Sequence, residues 1–354
     1  MSRFFSQKFQ YLEAYTPGEQ PKDQQYIKLN TNESPFPPTD KAVLKAHDAA
    51  RNLQLYCDPE CTELKREYIR VSGALPEEVL FTNGSDEALN FAFMAFCDED
   101  HPAVFPDITY GFYPVFAELN HVPYQEIPLR DDFTIDVDDY CNRNQTIFIA
   151  NPNAPTGIAL KPQDIKRILK SNPDSVVVID EAYVNFGAGS AIPLIMDYDN
   201  LLLTKTFSKS CSLAGGRLGM AIGNPELIRD LNTIKYSTNP YNVNSMTQAA
   251  GIGTILDIRE VERNCQTIMR NREYLTKALK YLGFWTTDSL ANFVFARHRD
   301  IDGETLYLKL KERGVLVRHF SKERIKDFVR ITVGTKEQID ILLDKIAEIL
   351  EEDI

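Results

Sequence analysis

Four side chains in the segment TKTFSKSCSLAGGRLG, residues 204–219, could act on one anionic ligand: Thr206, Ser208, Lys209 and Arg217. Two hydroxyls and a guanidinium suit a phosphate dianion, because the planar fork of arginine can bind two of its oxygens at once. Lys209 would be the fourth group, and it becomes a nucleophilic amine if burial and neighbouring cations lower its pKa. A solvated Lys/Arg turn is the competing account, and the segment alone does not separate the two.

Three other segments bear on the choice. In VVVIDEAYVNF (176–186), Asp180 follows four apolar residues and Tyr183 stands three positions on. A carboxylate at the end of a buried strand needs a proton or a cationic partner, although an isolated Asp there also reads as a helix cap. The segment NPNAPTG (151–157) follows the apolar run Thr146 to Ile149. It would make a good turn, and it should also lie at the carboxyl edge of the sheet, where open α/β sheets bind ligands. In TNGSDE (82–87), Asn83-Gly84 reads as a turn and Ser85-Asp86-Glu87 opens an apolar helix beginning near Ala88. The free N–H groups of such a helix start attract anions, while an ordinary N-cap explains the same residues. Taken together, the strand ends bring an anion nest, an amide, a carboxylate with a tyrosine, and a Lys/Arg/Ser/Thr cluster to one crevice.

The elements that must position these groups are short apolar runs: Ala103 to Phe105, Thr146 to Ile149, Val176 to Ile179, Leu201 to Leu203 and Leu218 to Ile222. Helical patterns lie between several of them, at 109–120 and 161–172. This alternation indicates an α/β fold with a mostly parallel sheet flanked by helices. A long helical pattern from Val243 to Leu282, stopped at Gly283, connects it to the tail. The tail reads strand (Asn292 to Ala296), helix (Gly303 to Arg313), strand (Val315 to Arg318), strand (Phe328 to Val333) and helix from Lys336, a smaller α+β terminal domain. The expected organisation is an N-terminal arm and part of the small domain over 1–40, a large domain over 41–282 including the connecting helix, and a small domain over 283–354.

Composition narrows the partners. A formal net charge of -12 without a Lys/Arg block opposes a nucleic-acid footprint, so any anion is met by a local site. The start, MSRFFSQKFQYLEAY, has no apolar h-region, and nowhere do about 18 apolar residues run together. A soluble, cytoplasmic protein is expected, with no membrane partner. The six cysteines form no paired CxxC clusters and are read as reduced; Cys57 and Cys61 find no nearby His or Cys to complete a metal site, and no metal is expected.

These segments resemble the fold type I pyridoxal-phosphate aminotransferases, and within them the histidinol-phosphate aminotransferase family. The resemblance covers most of the chain, through LNTNESP (29–35), YCDPE (56–60), TNGSDE, NPNAPTG, VVVIDEAYVNF, TKTFSKSCSLAGGRLG and VRITVG (329–334), in the family's order. The family usually has proline where Cys57 stands. The resemblance implies the cofactor pyridoxal 5'-phosphate and a role for each residue. Lys209 resembles the lysine that binds the cofactor covalently and then moves the substrate proton. Asp180 would pair with the pyridine nitrogen. Asn153 and Tyr183 would bond the ring hydroxyl, and Tyr110 would stack on the ring face. The phosphate would take the N–H groups of Gly84, Ser85 and Asp86, the hydroxyls of Thr206 and Ser208, and Arg217, with the Asp86 carboxylate turned away. Gly215 and Gly216 would let the backbone pass close to the cofactor, or merely relax a turn. Tyr56 resembles a tyrosine that reaches the neighbouring subunit's phosphate, which implies a homodimer with shared active sites.

Arg330 resembles the arginine that most aminotransferases use for a substrate carboxylate and that this family uses for a substrate phosphate. Arg318 supplies a second guanidinium, and Tyr15 and Asn32 match positions lining the family's substrate pocket. A dianion suits two arginines better than a monoanion does. The expected reaction is transamination between L-histidinol phosphate and 2-oxoglutarate, an amino donor and a 2-oxo acid. An aromatic amino-acid aminotransferase and a phosphothreonine-type decarboxylase are the rivals on the same cofactor site. A non-catalytic sensor would need a basic N-terminal domain, and only about 30 irregular residues precede LNTNESP.

Overall fold

The computed structural model describes residues 2–352. In chain order its strands are β1 (Ile27–Lys28), β2 (Val79–Asn83), β3 (Ala103–Pro106), β4 (Tyr124–Ile127), β5 (Thr146–Ala150), β6 (Val177–Asp180), β7 (Leu201–Thr206), β8 (Leu218–Gly223), β9 (Phe284–Thr286), β10 (Phe293–His298), β11 (Val315–Leu316), β12 (Arg318–His319) and β13 (Val329–Thr332). The large sheet runs β2-β8-β7-β6-β5-β3-β4. Its strands are parallel except β8, which is antiparallel to both β2 and β7. Every residue of β3, β5 and β6 is buried, as continuous apolar strands covered on both faces require. The apolar cores on the two faces are built around Phe93 and Phe148 on one side and Ile149, Ile179 and Leu203 on the other.

Register places the chemistry. Asp180, the last residue of β6, stands opposite Thr204 on β7 and Ala150 on β5. The NPNAPTG loop therefore leaves β5 on the row that carries the Asp180 carboxyl. The helix Gly84–Phe96 begins directly after β2, four residues before the expected start near Ala88. One residue makes the turn: Gly84 has φ +74, so the first helical N–H groups stay at the sheet edge.

Two further expectations are corrected. The helical pattern over 243–282 is two helices, Ser245–Leu256 and Ile258–Tyr281. They part at Asp257, whose carboxylate is held by Lys41, from its backbone N at 3.4 Å and from its Nζ. The single strand expected from Val315 to Arg318 is also divided. β11 pairs parallel with β1, whereas β12 pairs antiparallel with β13. The segment after β1 is drawn into the terminal sheet as well, since Thr332 N donates to Leu29 O at 2.9 Å. That sheet runs β12-β13-β10-β9 and packs against the helices Ile258–Tyr281 and Gly303–Glu312, with Lys336–Glu352 packed on both helices. Among the described residues no helix is long and apolar enough to cross a membrane, and no cluster of His, Cys, Asp or Glu could hold a metal ion.

Candidate active site

Two adjoining cavities, about 700 and 460 Å³, open where the carboxyl ends of β5, β6 and β7 meet the terminal sheet. Lys209, Tyr183, Tyr110, Asp86 and Arg217 line both. The smaller also holds Asp180, Ser85, Thr206 and Ser208, and the larger Tyr15, Asn32, Arg318 and Arg330. The register of the strands thus brings most of the expected residues to one place.

Lys209 Nζ donates to the Thr31 carbonyl at 3.0 Å and lies 6.0 Å from the Tyr183 ring centroid. Burial, and after it the Arg330 guanidinium, pull this amine down to about 8. The neighbouring Lys205 is a different kind of lysine. It points to the other face of β7 and pairs with the buried Glu181 at 2.9 Å, where Ser190 and the Ala191 N–H also donate to that carboxylate. Of these two lysines, Lys209 is the one that lines the cavities.

Asp180 is 4% exposed, and burial pushes its carboxyl up to about 7. All its partners are neutral donors: Thr204 Oγ1 at 3.0 Å, Ala182 N at 3.2 Å and Tyr113 OH at 3.5 Å. Thr204 and Tyr113 carry no motif signal of their own. Thr204 could have been found by stepping two residues back along β7 from Thr206, which puts both on one face.

At the phosphate end, Thr206 Oγ1 donates to Ser208 Oγ at 2.9 Å and Arg217 Nη1 reaches Ser208 Oγ at 3.5 Å. Arg217 Nη2 pairs with Asp86 at 2.9 Å, and Tyr110 OH donates to the same carboxylate at 2.6 Å. Asp86 thus aims the arginine. Gly215 lines the smaller cavity, and the close approaches between protein segments lie at Gly84 and Gly219. A Cβ on Gly215 would meet nothing within 4 Å, whereas one on Gly219 would sit 2.3 Å from both Gly84 C and Ser85 N, and one on Gly84 2.4 Å from Arg217 Nη2. Gly84 and Gly219 are what let strand, helix start and guanidinium share one cradle.

Asn153 lies beside these cavities. Its Nδ2 donates to Ile108 O at 2.9 Å and Thr156 Oγ1 at 3.0 Å, while its Oδ1 accepts from Thr109 at 2.9 Å. The role implied for it at a ring hydroxyl requires one of those bonds to be exchanged. Tyr183 is buried, and its OH accepts from Asn32 Nδ2 at 2.9 Å. Tyr56 is 85% exposed and stacks on Tyr241 at 4.6 Å, outside both cavities.

Towards the mouth, Tyr15 stacks on Phe112 at 4.0 Å. Arg318 on β12 and Arg330 on β13 are register partners. Arg318 reaches the Thr16 and Pro17 carbonyls at 3.4 Å each, and both guanidiniums lie over the Phe320 ring, at 5.7 and 5.6 Å. Arg330 Nη2 donates to Asn30 O at 3.2 Å, and its buried Nε has no partner.

The donor set fits pyridoxal phosphate. An amine brought down to about 8, a buried carboxyl with only neutral partners and an anion cradle cleared by two glycines match its aldehyde, its basic ring nitrogen and its phosphate. Residues 24–346 match the family model of class I and II aminotransferases. A histidinol-phosphate aminotransferase of Brachyspira hyodysenteriae is 47% identical over 99% of this chain and 100% of that one. The chain belongs to the histidinol-phosphate aminotransferase family. Histidinol-phosphate aminotransferase 1 of Bradyrhizobium diazoefficiens is 46% identical over 99% of this chain and 100% of its own. The family's fold recurs in the enzyme of Sinorhizobium meliloti, solved with pyridoxal-5'-phosphate, at TM-score 0.84 and 21% identity over 93% of this chain and 92% of that one.

Proposed function

We propose that the protein is a pyridoxal-phosphate-dependent aminotransferase that converts L-histidinol phosphate and 2-oxoglutarate to imidazole-acetol phosphate and L-glutamate, a step of histidine biosynthesis. The observation that carries the substrate is the register pair Arg318 and Arg330 at the cavity mouth. Two guanidiniums on one rung suit a phosphate dianion better than a single carboxylate. The relatives' names agree with this choice.

Bound in the inner cavity, the cofactor would carry the amino group and take up the electron pair left when the substrate Cα loses its proton. The chain's own residues do the rest. Lys209 would hold the cofactor covalently and, as a free amine, take the proton from the substrate Cα as a general base; burial, by bringing it down to about 8, raises the share of it that is unprotonated near neutral pH. Asp180 would hold a proton on the ring nitrogen, and Tyr183 would bond the ring hydroxyl. Tyr110 would cover one ring face, and Ser85, Thr206, Ser208 and Arg217 would hold the phosphate. Arg318 and Arg330 fix the substrate phosphate, while Tyr15 and Asn32 shape the wall.

Each site is shared in a cytoplasmic homodimer, with Tyr56 reaching the partner's cofactor phosphate. Tyr56 is highly exposed beside Leu53 and Leu55, apolar surface that a second copy would cover. Turnover of histidinol phosphate, phenylalanine and O-phosphothreonine tests the substrate. A kcat/KM for phenylalanine above that for histidinol phosphate would overturn the assignment.

A further inference from the structure

Asp107, the residue after β3, is the meeting point of the large sheet and the terminal module. Its Oδ1 accepts from Leu129 N at 2.9 Å and its Oδ2 from Arg324 Nη1 at 2.9 Å. Its carbonyl accepts from Lys322 Nζ. Arg324 also donates from Nη2 to the carbonyls of Leu129 at 2.8 Å and Arg130 at 3.1 Å. Beside this ionic joint lies a small apolar core of its own: Ile108, Leu129 and Phe133 from the sheet side, and Phe295, Ile325 and Phe328 from the terminal side.

The joint has a functional group on each side of it. Immediately after Asp107, Ile108 O and Thr109 Oγ1 hold Asn153, and Tyr110 holds Asp86, which aims Arg217. Arg324 lies between β12 and β13, which carry Arg318 and Arg330. The distance from Lys209 to the two guanidiniums is set between the modules, through the Asn30–Thr31 backbone on one side and this contact on the other. A partly exposed ion pair contributes little stability, so its worth lies in aligning the guanidiniums that make charge-assisted bonds to a phosphate, a ground-state binding effect.

We infer that Asp107 and Arg324 are a positioning pair that holds the substrate-phosphate arginines in register with the cofactor-facing segment 107–110. The inference rests on the proposed phosphate-ester substrate. Its test uses the cofactor-loaded protein and the variants Arg324→Gln, Asp107→Asn and Arg324→Lys. KM and kcat are measured on histidinol phosphate, the dissociation constant of inorganic phosphate by calorimetry, and cofactor affinity and Tm alongside. In Arg324→Gln and Asp107→Asn, KM and the phosphate constant rise together by about tenfold, kcat stays within about twofold, and cofactor affinity is unchanged. Arg324→Lys, which keeps the charge and loses the fork, falls between. A lowered Tm with KM and the phosphate constant at wild-type values would overturn the inference, as would a loss of cofactor affinity as large as the rise in KM. If the wild type does not turn over histidinol phosphate, the substrate reading falls, while the phosphate constant still tests the joint.

Discussion

Arg318 and Arg330 occupy one rung of the antiparallel ladder between β12 and β13, so two cationic side chains are held on neighbouring strands with Phe320 under both. Like charges in direct register destabilise a sheet by up to about 1 kcal/mol, and an anion bound between them removes that cost. Arg318→Gln should therefore unfold no more easily than the wild type in anion-free buffer and should lose most of the Tm gain that phosphate gives the wild type. Arg330→Gln should lower kcat/KM for a phosphorylated amine by roughly a hundredfold, the cost of removing a desolvated charge partner. Thermal melts with and without phosphate, and steady-state kinetics, check the two halves separately.

Asp180 and Lys209 make the cofactor-free protein's stability depend on pH in opposite directions. The folded Asp180 carboxyl, raised to about 7, keeps its proton where the unfolded chain has lost it. Its contribution is present below the unfolded carboxyl pKa of about 4 and is lost as pH rises to 7, by at most roughly 1.4 kcal/mol for each pH unit crossed. The Lys209 amine is depressed to about 8, so its contribution is full above about 10.4 and is lost as pH falls through 8. Denaturant unfolding of the cofactor-free protein should show Asp180→Asn gaining on the wild type between pH 4 and 7 and holding that gain above. A difference that does not vary with pH would contradict the raised carboxyl at Asp180.

Gly219→Ala should weaken cofactor binding. The added Cβ would have to displace the backbone of Gly84 and Ser85, 2.3 Å away, and with it the start of the helix that meets the phosphate. Overpacking of this kind costs about 1–3 kcal/mol, or one to two powers of ten in the cofactor dissociation constant if it falls on the cradle alone. Titration of the cofactor-free wild type and variant with pyridoxal phosphate, read by absorbance, makes the comparison.

The strand ends and the residues on them were legible because apolar runs, a carboxylate and a lysine after such runs, and glycine-bearing turns are local signals. Asp180, Lys209, Arg217 and Arg330 are of this kind. What escaped depends on neighbours distant in sequence. Thr204 and Tyr113 matter only because register brings them to Asp180. The Thr31 carbonyl that receives Lys209 is backbone, with no side-chain signature. Gly219 is required by the approach of a helix that lies far from it in the chain, and β2 and β4 are edge strands with weak patterns. The break at Asp257 follows from a bond to Lys41, a tertiary contact that helical periodicity does not report.

Absorbance of the cofactor-loaded protein, titrated with each amine in the absence of a 2-oxo acid, addresses the central claim most directly. The visible band should be bleached by histidinol phosphate at a lower concentration than by phenylalanine or O-phosphothreonine, and 2-oxoglutarate should restore it; in Lys209→Ala the lysine-dependent band should be missing from the start. Bleaching by phenylalanine at an equal or lower concentration, or a wild-type band in Lys209→Ala, would contradict it.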